Sequence, residues 1–168
     1  NAKYRQEFEC DFTSSSEDIF ITLDIAIKAS KRANLPQTYS WAPVIIGVDV
    51  AREGNDSSII YVRQGNHTLA IEKYPHTNSV TKFAILVSAA IQKYSASMTF
   101  IDAIGVGAGT YDALLDLGHT HDVMAVNAGV SPDDPRFRNK RAEMWQKMKD
   151  WLMEVGDIPD DPALIAEL

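Results

Sequence analysis

A carboxylate inside an apolar segment constrains this chain more than any other feature of its sequence. Residues 44–50 read Val-Ile-Ile-Gly-Val-Asp-Val, which places Asp49 among apolar neighbours. Residues 98–102 read Met-Thr-Phe-Ile-Asp and end at a second acid, Asp102, just before a glycine-rich stretch. Withdrawing an ionised carboxylate from water is costly unless a cation or hydrogen-bond donors compensate. Each acid therefore requires a partner, and a metal ion is the natural candidate.

Apolar periodicity predicts an α/β domain built around these two segments. Its strands are nearly continuous apolar runs or alternate with polar residues, whereas its helices repeat apolar residues every three or four positions. The predicted strands are residues 44–50, 57–63, 68–74, 98–102 and 122–127, with a hairpin turn at 64–67. The predicted helices are one capped by Asn78 or Ser79, a short one that ends at Gly118 and a long amphipathic one at 139–155.

This order of elements is that of the ribonuclease H-like fold, which RuvC-type and integrase-type domains share. Its mixed sheet has three antiparallel strands, then parallel strands, and is flanked by helices. The first and fourth strands pair in parallel, so Asp49 and Asp102 would lie side by side. We therefore predict an α/β fold of this class with both acids in one site.

Two converging carboxylates suit a hard divalent cation, because the cation relieves the repulsion between them. Oxygen ligands favour Mg²⁺ or Mn²⁺ over zinc. Two such ions, about 3.5–4 Å apart, would support hydrolysis of a phosphodiester bond. Asp49 could alternatively cap the turn after its strand. Asp56, in the loop that follows, could return to the metal as a further ligand or could be a turn residue.

The charge balance limits how the chain could bind nucleic acid. Its 16 lysines and arginines face 23 aspartates and glutamates, which gives a net charge of −7 and argues against binding through overall electrostatics. Binding to DNA would need local basic groups. Arg52, after the first acid, could contact phosphate or be solvated. The same two interpretations apply to the dense basic cluster at the start of the long helix, which consists of Arg136, Arg138, Lys140 and Arg141.

Other motifs carry weaker predictions. The glycine-rich residues 105–109 predict a turn that resembles a phosphate-binding loop, although glycine spacing alone is a weak signal. The histidines at 67, 76, 119 and 121 lack metal-binding spacing, and His119 and His121 are expected to be exposed. Trp145 and Trp151 are expected to lie in the core, because they fall on the apolar face of the long helix.

Residues 1–43 differ in composition from the rest, with a serine run at 14–16, a predicted helix at 22–33 and a helix-breaking segment at 34–38. They suggest a linker or the tail of a preceding domain, and residues 44–168 form the α/β domain.

The single cysteine, Cys10, excludes an internal disulfide framework and fits a reducing compartment such as the cytoplasm. No stretch approaches the length of a membrane span, and the first residue is Asn1, which indicates a fragment.

Five segments, taken in order, resemble the C-terminal nuclease domain of the large terminase subunit of tailed phages or prophages. They are residues 5–12, 47–54 with Asp56, 100–109, 139–145 and 158–164. The resemblance implies an endonuclease that cuts concatemeric double-stranded DNA during viral DNA packaging, with two Mg²⁺ or Mn²⁺ ions. It implies that Asp49 and Asp102 are the first two catalytic metal ligands and that Asp56 is an accessory acid.

The same resemblance implies the partners and the context. Residues 1–43 would follow the ATPase domain of the large subunit, and the small terminase subunit and the portal protein would be partners in the host cytoplasm. The family's third catalytic acid lies in a C-terminal segment that has no counterpart before Leu168, so the site is expected to be incomplete and weakly active. Asp160, Asp161 or Glu167 could substitute, although Asp160 and Asp161 also suit a helix cap.

Two other functions compete with a nuclease. One is a non-catalytic docking module of the packaging motor. The other is an ATP-binding domain of the actin and sugar-kinase class, which shares this sheet order and a Gly-x-Asp strand. That class follows its acid with a hairpin rich in glycine, serine and threonine, whereas residues 51–56 are mostly charged or polar here.

Overall fold

The computed structural model describes residues 20–51, 56–75 and 79–168. Within these residues, five strands form one mixed sheet. They are β1 (Val44–Asp49), β2 (Ser57–Gln64), β3 (His67–Pro75), β4 (Met98–Asp102) and β5 (Val123–Val126). The strand order is β3-β2-β1-β4-β5. β2 is antiparallel to both β1 and β3, while β1–β4 and β4–β5 are parallel pairs, which confirms the predicted fold class.

Six helices accompany the sheet in the described residues. They are α1 (Leu23–Ser30), α2 (Pro36–Tyr39), α3 (Val80–Tyr94), α4 (Val106–Asp116), α5 (Lys140–Glu154) and α6 (Pro162–Glu167). The sequence predicted a break in the chain where α2 forms. Pro36 occupies the first turn of α2, where its fixed φ favours a helix and its missing N–H costs nothing. None of the described helices is long and apolar enough to cross a membrane.

Helix α3 forms where the sequence predicted it and covers one face of the sheet. The side chain of Ser79 accepts a hydrogen bond of 3.3 Å from the N–H of Lys82, which confirms Ser79 as the cap. The alternative cap, Asn78, lies outside the described residues, as does His76. Phe83 and Val87 of α3 are buried. The core that they join contains Ile46, Val48, Ile60, Val62, Ile101 and Leu114.

The glycine-rich stretch after β4 corrects a prediction. It was expected to be a turn over residues 105–109, but α4 already begins at Val106, so Gly107 and Gly109 lie in its first turn. Only Gly105, which precedes the helix with φ of 72°, has the left-handed backbone that favours glycine. Helix α4 forms because Thr110 and Leu114 recur at helical spacing and both are buried.

Two side chains lie in environments that the sequence did not predict. Trp145 was expected in the core but is 38% exposed. It is two residues from the buried Glu143, and two residues turn a helix by about 200°, so it projects from the opposite side of α5. The side chain of His119 was expected to be exposed but is only 12% exposed. Its ring is hydrogen-bonded to Ser88 and to Asp122, which accounts for its burial.

The chain divides into two compact units. One comprises residues 34–147 and holds the whole sheet; the described part of the other comprises residues 20–33 and 148–168. In the latter unit Ile21, Ala29, Leu152 and Ile158 form a small buried cluster. The guanidinium of Arg32 donates hydrogen bonds to the carbonyls at the end of α5. That residues 1–43 are the tail of an ATPase domain stays a prediction.

Candidate metal centre

Asp49 and Asp102 are the last residues of two neighbouring parallel strands. In the register of β1 and β4, Gly47 lies opposite Phe100 and Val48 opposite Ile101. The next step of the same register places Asp49 beside Asp102. Ile46 and Val48 of β1 are buried in the core, and successive strand residues point to opposite faces, so Asp49 projects from the other face of the sheet. The structure thus brings the two predicted acids together.

The two acids border an open cleft of about 290 Å³ on this face. Alternation along the strands brings Gly47, Ile59, Tyr61 and Phe100 to the same face, and the register sets Tyr61 opposite Gly47. The loop after β5 and the helix α5 add further lining. The residues that line the cleft besides the acids are Gly47, Val48, Ile59, Tyr61, Phe100, Val126, Ala128 and Met144. A carboxylate pair therefore lies beside a wall that is mostly apolar.

The surroundings of Asp49 disfavour its negative charge. Burial raises the pKa of its carboxyl, and the negative charge of Asp102 raises it further. A hydrogen bond from the N–H of Val50 lowers the pKa, and the charge of Asp56 adds a smaller increase. A cation bound between Asp49 and Asp102 would remove the repulsion that these shifts record.

The carboxylate of Asp102 is oriented by the turn that follows it. Its Oδ1 accepts a hydrogen bond of 3.1 Å from the N–H of Ile104. Ile104 lies only two residues after Asp102, so the segment that continues the backbone of Asp102 also orients its side chain.

Two carboxylates are a suitable protein contribution for Mg²⁺ or Mn²⁺. Magnesium is usually bound through one or two carboxylates and completes its shell with water and substrate phosphates. In the part of the chain that the structure describes, no group of three or more histidine, cysteine, aspartate or glutamate side chains could hold a metal ion. Asp56 acts on Asp49 through its charge, and its direct coordination of a metal stays a prediction.

The predicted basic cluster divides into two pairs. The guanidinium of Arg136 donates three hydrogen bonds of 3.1, 3.0 and 2.6 Å to the carboxylate of Asp134, and Lys140 forms ion pairs with Asp133 and Glu143. Arg138 and Arg141 are exposed, and neither has an acidic partner among the described residues. Arg52 lies outside the described residues.

Arg141 belongs to the part of α5 that borders the cleft. Its backbone N–H donates a hydrogen bond of 3.0 Å to the carbonyl of Ala128, which lines the cleft. Met144 follows three residues later on the same helical face and also lines the cleft. The first turn of α5 therefore carries one exposed arginine whose backbone is hydrogen-bonded to a residue of the cleft wall.

Glu143 is a structural element of this region that the sequence reasoning missed. Its side chain is buried and accepts a hydrogen bond of 2.9 Å from the N–H of Asp133. Lys140 and Lys147 also bind its carboxylate. The sequence carries a signal for these contacts, because one lysine lies three residues before Glu143 and another lies four residues after it. Residues at these spacings share one face of a helix.

The hydrogen bonds of Asp161 indicate a structural role. Its Oδ1 accepts hydrogen bonds of 2.9 and 3.4 Å from the N–H groups of Ala163 and Leu164 at the start of α6. This is the helix cap that the sequence suggested as its alternative to metal binding.

The fold is that of the nuclease domains of phage large terminase subunits. The nuclease domain of the large terminase subunit gp2 of bacterial virus Sf6 matches with a TM-score of 0.64 and 19% identity, over 79% of this chain and 64% of that one. A mutant form solved with manganese and β-thujaplicinol matches with a TM-score of 0.64 and 18% identity, over the same shares of the two chains, 79% and 64%. The large terminase nuclease from thermophilic phage G20c, solved with magnesium, gives a TM-score of 0.61 at 15% identity, over 76% of this chain and 63% of that one.

The chain thus spans less than two thirds of the length of these three nuclease structures. No protein-family model matches it, and no curated protein matches it by sequence. The structural matches confirm, at the level of the fold, the resemblance that the sequence motifs indicated.

Proposed function

We propose that this chain is the metal-dependent endonuclease domain of a phage or prophage large terminase subunit and that it cleaves double-stranded DNA. One observation carries the proposal: two carboxylates end adjacent parallel strands on the same face of a ribonuclease H-like sheet, beside an open cleft. The same arrangement has no evident structural purpose, because repulsion between the acids is unfavourable without a cation.

In this proposal Asp49 and Asp102 hold the cation, and Asp56 contributes negative charge near it. One or two Mg²⁺ or Mn²⁺ ions, when bound, would supply the Lewis acidity that activates a water and stabilises the leaving oxygen. Phe100 and Met144 form part of the apolar wall beside the two acids.

DNA would be held by local charge rather than by the net charge of −7. Arg138 and Arg141 are the members of the basic cluster that no described acid neutralises, and the backbone N–H of Arg141 is hydrogen-bonded to Ala128 of the cleft wall. The partners that this proposal implies are the ATPase domain, the small subunit and the portal protein of the packaging machinery, in the host cytoplasm. Tethering to such a motor would raise the effective DNA concentration at an acidic domain.

Calorimetric titration with Mn²⁺ tests the metal centre. We expect the wild type to bind Mn²⁺ and the variants Asp49→Asn and Asp102→Asn to bind it at least tenfold more weakly. Asp112→Asn, an exposed acid on α4, is the matched control and should bind like the wild type. Equal binding by all four proteins would reject the proposal, and a plasmid-nicking assay with Mn²⁺ on the same proteins tests the reaction itself.

A further inference from the structure

The glycine-rich stretch after β4 forms a close contact between a helix and the strand that carries Asp102. A Cβ atom on Gly107 would lie 1.8 Å from the carbonyl oxygen of Asp102 and 2.9 Å from its carbonyl carbon. Both atoms belong to the backbone, so no side-chain rotation could relieve the overlap. Any residue larger than glycine would force the first turn of α4 or the end of β4 to move.

The contact and the orientation of the carboxylate belong to one segment. Residues 102–107 leave the strand, supply the N–H of Ile104 to Oδ1 of Asp102, and enter α4 through Gly105. Gly105 has φ of 72° and ψ of −116°, a conformation that a residue with a Cβ rarely adopts. A displacement at Gly107 therefore acts on both the backbone position and the side-chain direction of Asp102.

We propose that Gly107 is a positioning residue of the metal centre: its missing side chain allows α4 to pack on the backbone of Asp102 and so sets that carboxylate beside Asp49. This inference rests on the proposed function, since the position of Asp102 has a chemical consequence only if the pair binds a metal. Metal–ligand distances vary by only about 0.2 Å between sites, and a Cβ atom placed 1.8 Å from a backbone oxygen requires a much larger movement.

The same helix provides a matched control. A Cβ atom on Gly109 would lie 3.5 Å from the side chain of Val80, which is an ordinary van der Waals contact. Gly109→Ala therefore adds the same methyl group to the same helical turn without touching Asp102. Alanine also favours a helix over glycine, so this variant should fold at least as well as the wild type.

The test measures Mn²⁺ affinity from the electron paramagnetic resonance signal of free Mn²⁺, on proteins shown to be folded by near-ultraviolet circular dichroism. We expect Gly107→Ala to weaken Mn²⁺ binding at least tenfold and Gly109→Ala to change it less than twofold. In the Asp102→Asn background, Gly107→Ala should cause no further loss, because its effect is transmitted through Asp102. A general structural defect would instead lower the affinity in both backgrounds.

Each outcome decides between the proposals. If the wild type does not bind Mn²⁺, the proposed function fails, and the positioning role fails with it. If the wild type binds Mn²⁺ and folded Gly107→Ala binds it equally well, the positioning role alone is overturned. If Gly107→Ala does not fold, Gly105→Ala decides, because it strains the segment that carries Ile104 without adding a methyl group at the helix contact; affinity within twofold of wild type would then reject the inference.

Discussion

The backbone N–H of Asp133 donates a hydrogen bond of 2.9 Å to the carboxylate of Glu143, a side chain that is 1% exposed. This bond ties the loop after β5 to the first turns of α5. Lys140 and Lys147 supply the positive charge that a buried carboxylate requires. Ala128 of the same loop and Met144 of the same helix line the cleft of the candidate metal centre.

Replacing Glu143 with glutamine should destabilise the protein. The variant keeps the size of the side chain but removes the charge that Lys140 and Lys147 bind, which leaves Lys140 with Asp133 as its ion-pair partner. Glu154→Gln, an exposed change on the same helix, is the control and should have little effect. Thermal unfolding followed by circular dichroism should give a clearly lower Tm for Glu143→Gln than for Glu154→Gln, and equal values would contradict the role assigned to Glu143.

The carboxylate of Glu143 should make the free energy of unfolding depend on pH under acidic conditions. Hydrogen bonds from Lys147 and from the N–H of Asp133 lower the pKa of Glu143 from 4.5 to about 2. As the pH falls, Glu143 is therefore protonated in the unfolded chain before it is protonated in the folded protein. The stabilisation is complete above about pH 4.5 and is lost as the pH falls toward 2. Urea unfolding at several pH values measures the free energy of unfolding, which should fall less steeply over this interval for Glu143→Gln than for the wild type. Parallel curves would show that Glu143 is not the source of the pH dependence.

Removing one acid of the candidate metal centre should stabilise the metal-free protein. Burial and the charge of Asp102 raise the pKa of Asp49, which means that its ionised form is less favourable in the folded state than in the unfolded chain. Asp49→Asn removes this unfavourable charge, so its Tm in the presence of a chelator should exceed that of the wild type. A lower Tm would show that the carboxylate has a structural role instead.

Added Mn²⁺ should reverse this order. A ligand at 100 times its dissociation constant stabilises a protein by about 2.7 kcal/mol, which corresponds to roughly 5–10 °C in Tm for a chain of this size. The wild type should gain this stability, and Asp49→Asn, which binds Mn²⁺ more weakly, should gain about half of it or less. Thermal scans with chelator and with Mn²⁺ provide the measurement, and an equal gain for both proteins would place the bound metal elsewhere.

The sheet and the pairing of the two acids followed from the sequence because both depend on local rules. The apolar runs of β1 and β4 give the strands, and the order of elements gives their parallel pairing. Once the strands are neighbours, Asp49 and Asp102 meet because each ends its strand. The cap of α3 at Ser79 was predictable for the same reason, since it depends only on residues within one helical turn.

The features that the sequence did not predict depend on contacts between distant segments. A glycine-rich stretch is compatible with a turn or with a closely packed helix. Glycine is required at residue 107 because the carbonyl of Asp102 lies against it, and that contact is visible only in the folded structure. The apolar pattern of α5 suggested that Trp145 is buried, but the side facing the loop after β5 buries Glu143 instead. His119 is held by Ser88, which is 31 residues away in the sequence.

Truncating the core should affect stability without affecting metal binding. Phe83 is 1% exposed on the face of the sheet opposite the two acids and packs edge-on against Tyr74. Phe83→Ala should lower the free energy of unfolding by about 3–5 kcal/mol, as is typical for buried aromatic residues. Chemical denaturation measures this loss. Mn²⁺ affinity of the folded variant should match the wild type, and a large change would mean that the two faces of the sheet are coupled.

The two exposed arginines of the basic cluster should contribute more to DNA binding than the paired ones. Arg141 has no acidic partner among the described residues, whereas Arg136 is neutralised by Asp134. Each phosphate contact that is lost reduces the slope of log affinity against log salt by about 0.9. The variant with both Arg138→Gln and Arg141→Gln should therefore bind duplex DNA more weakly, with a slope reduced by roughly 2, and Arg136→Gln should leave the slope nearly unchanged.

Fluorescence anisotropy of a labelled duplex at several salt concentrations measures these slopes, with Ca²⁺ in place of Mn²⁺ to limit cleavage. The three arginines lie within six residues of one another, so the comparison separates the effect of an acidic partner from that of position in the chain. Both variants should keep the Tm of the wild type, because none of these side chains is buried. If Arg136→Gln lowers the slope by about 0.9, which corresponds to one lost phosphate contact, the ion pair with Asp134 opens on binding and the whole cluster contacts DNA. If neither variant changes the slope, the cluster is a solvated surface and DNA must reach the two acids by another path.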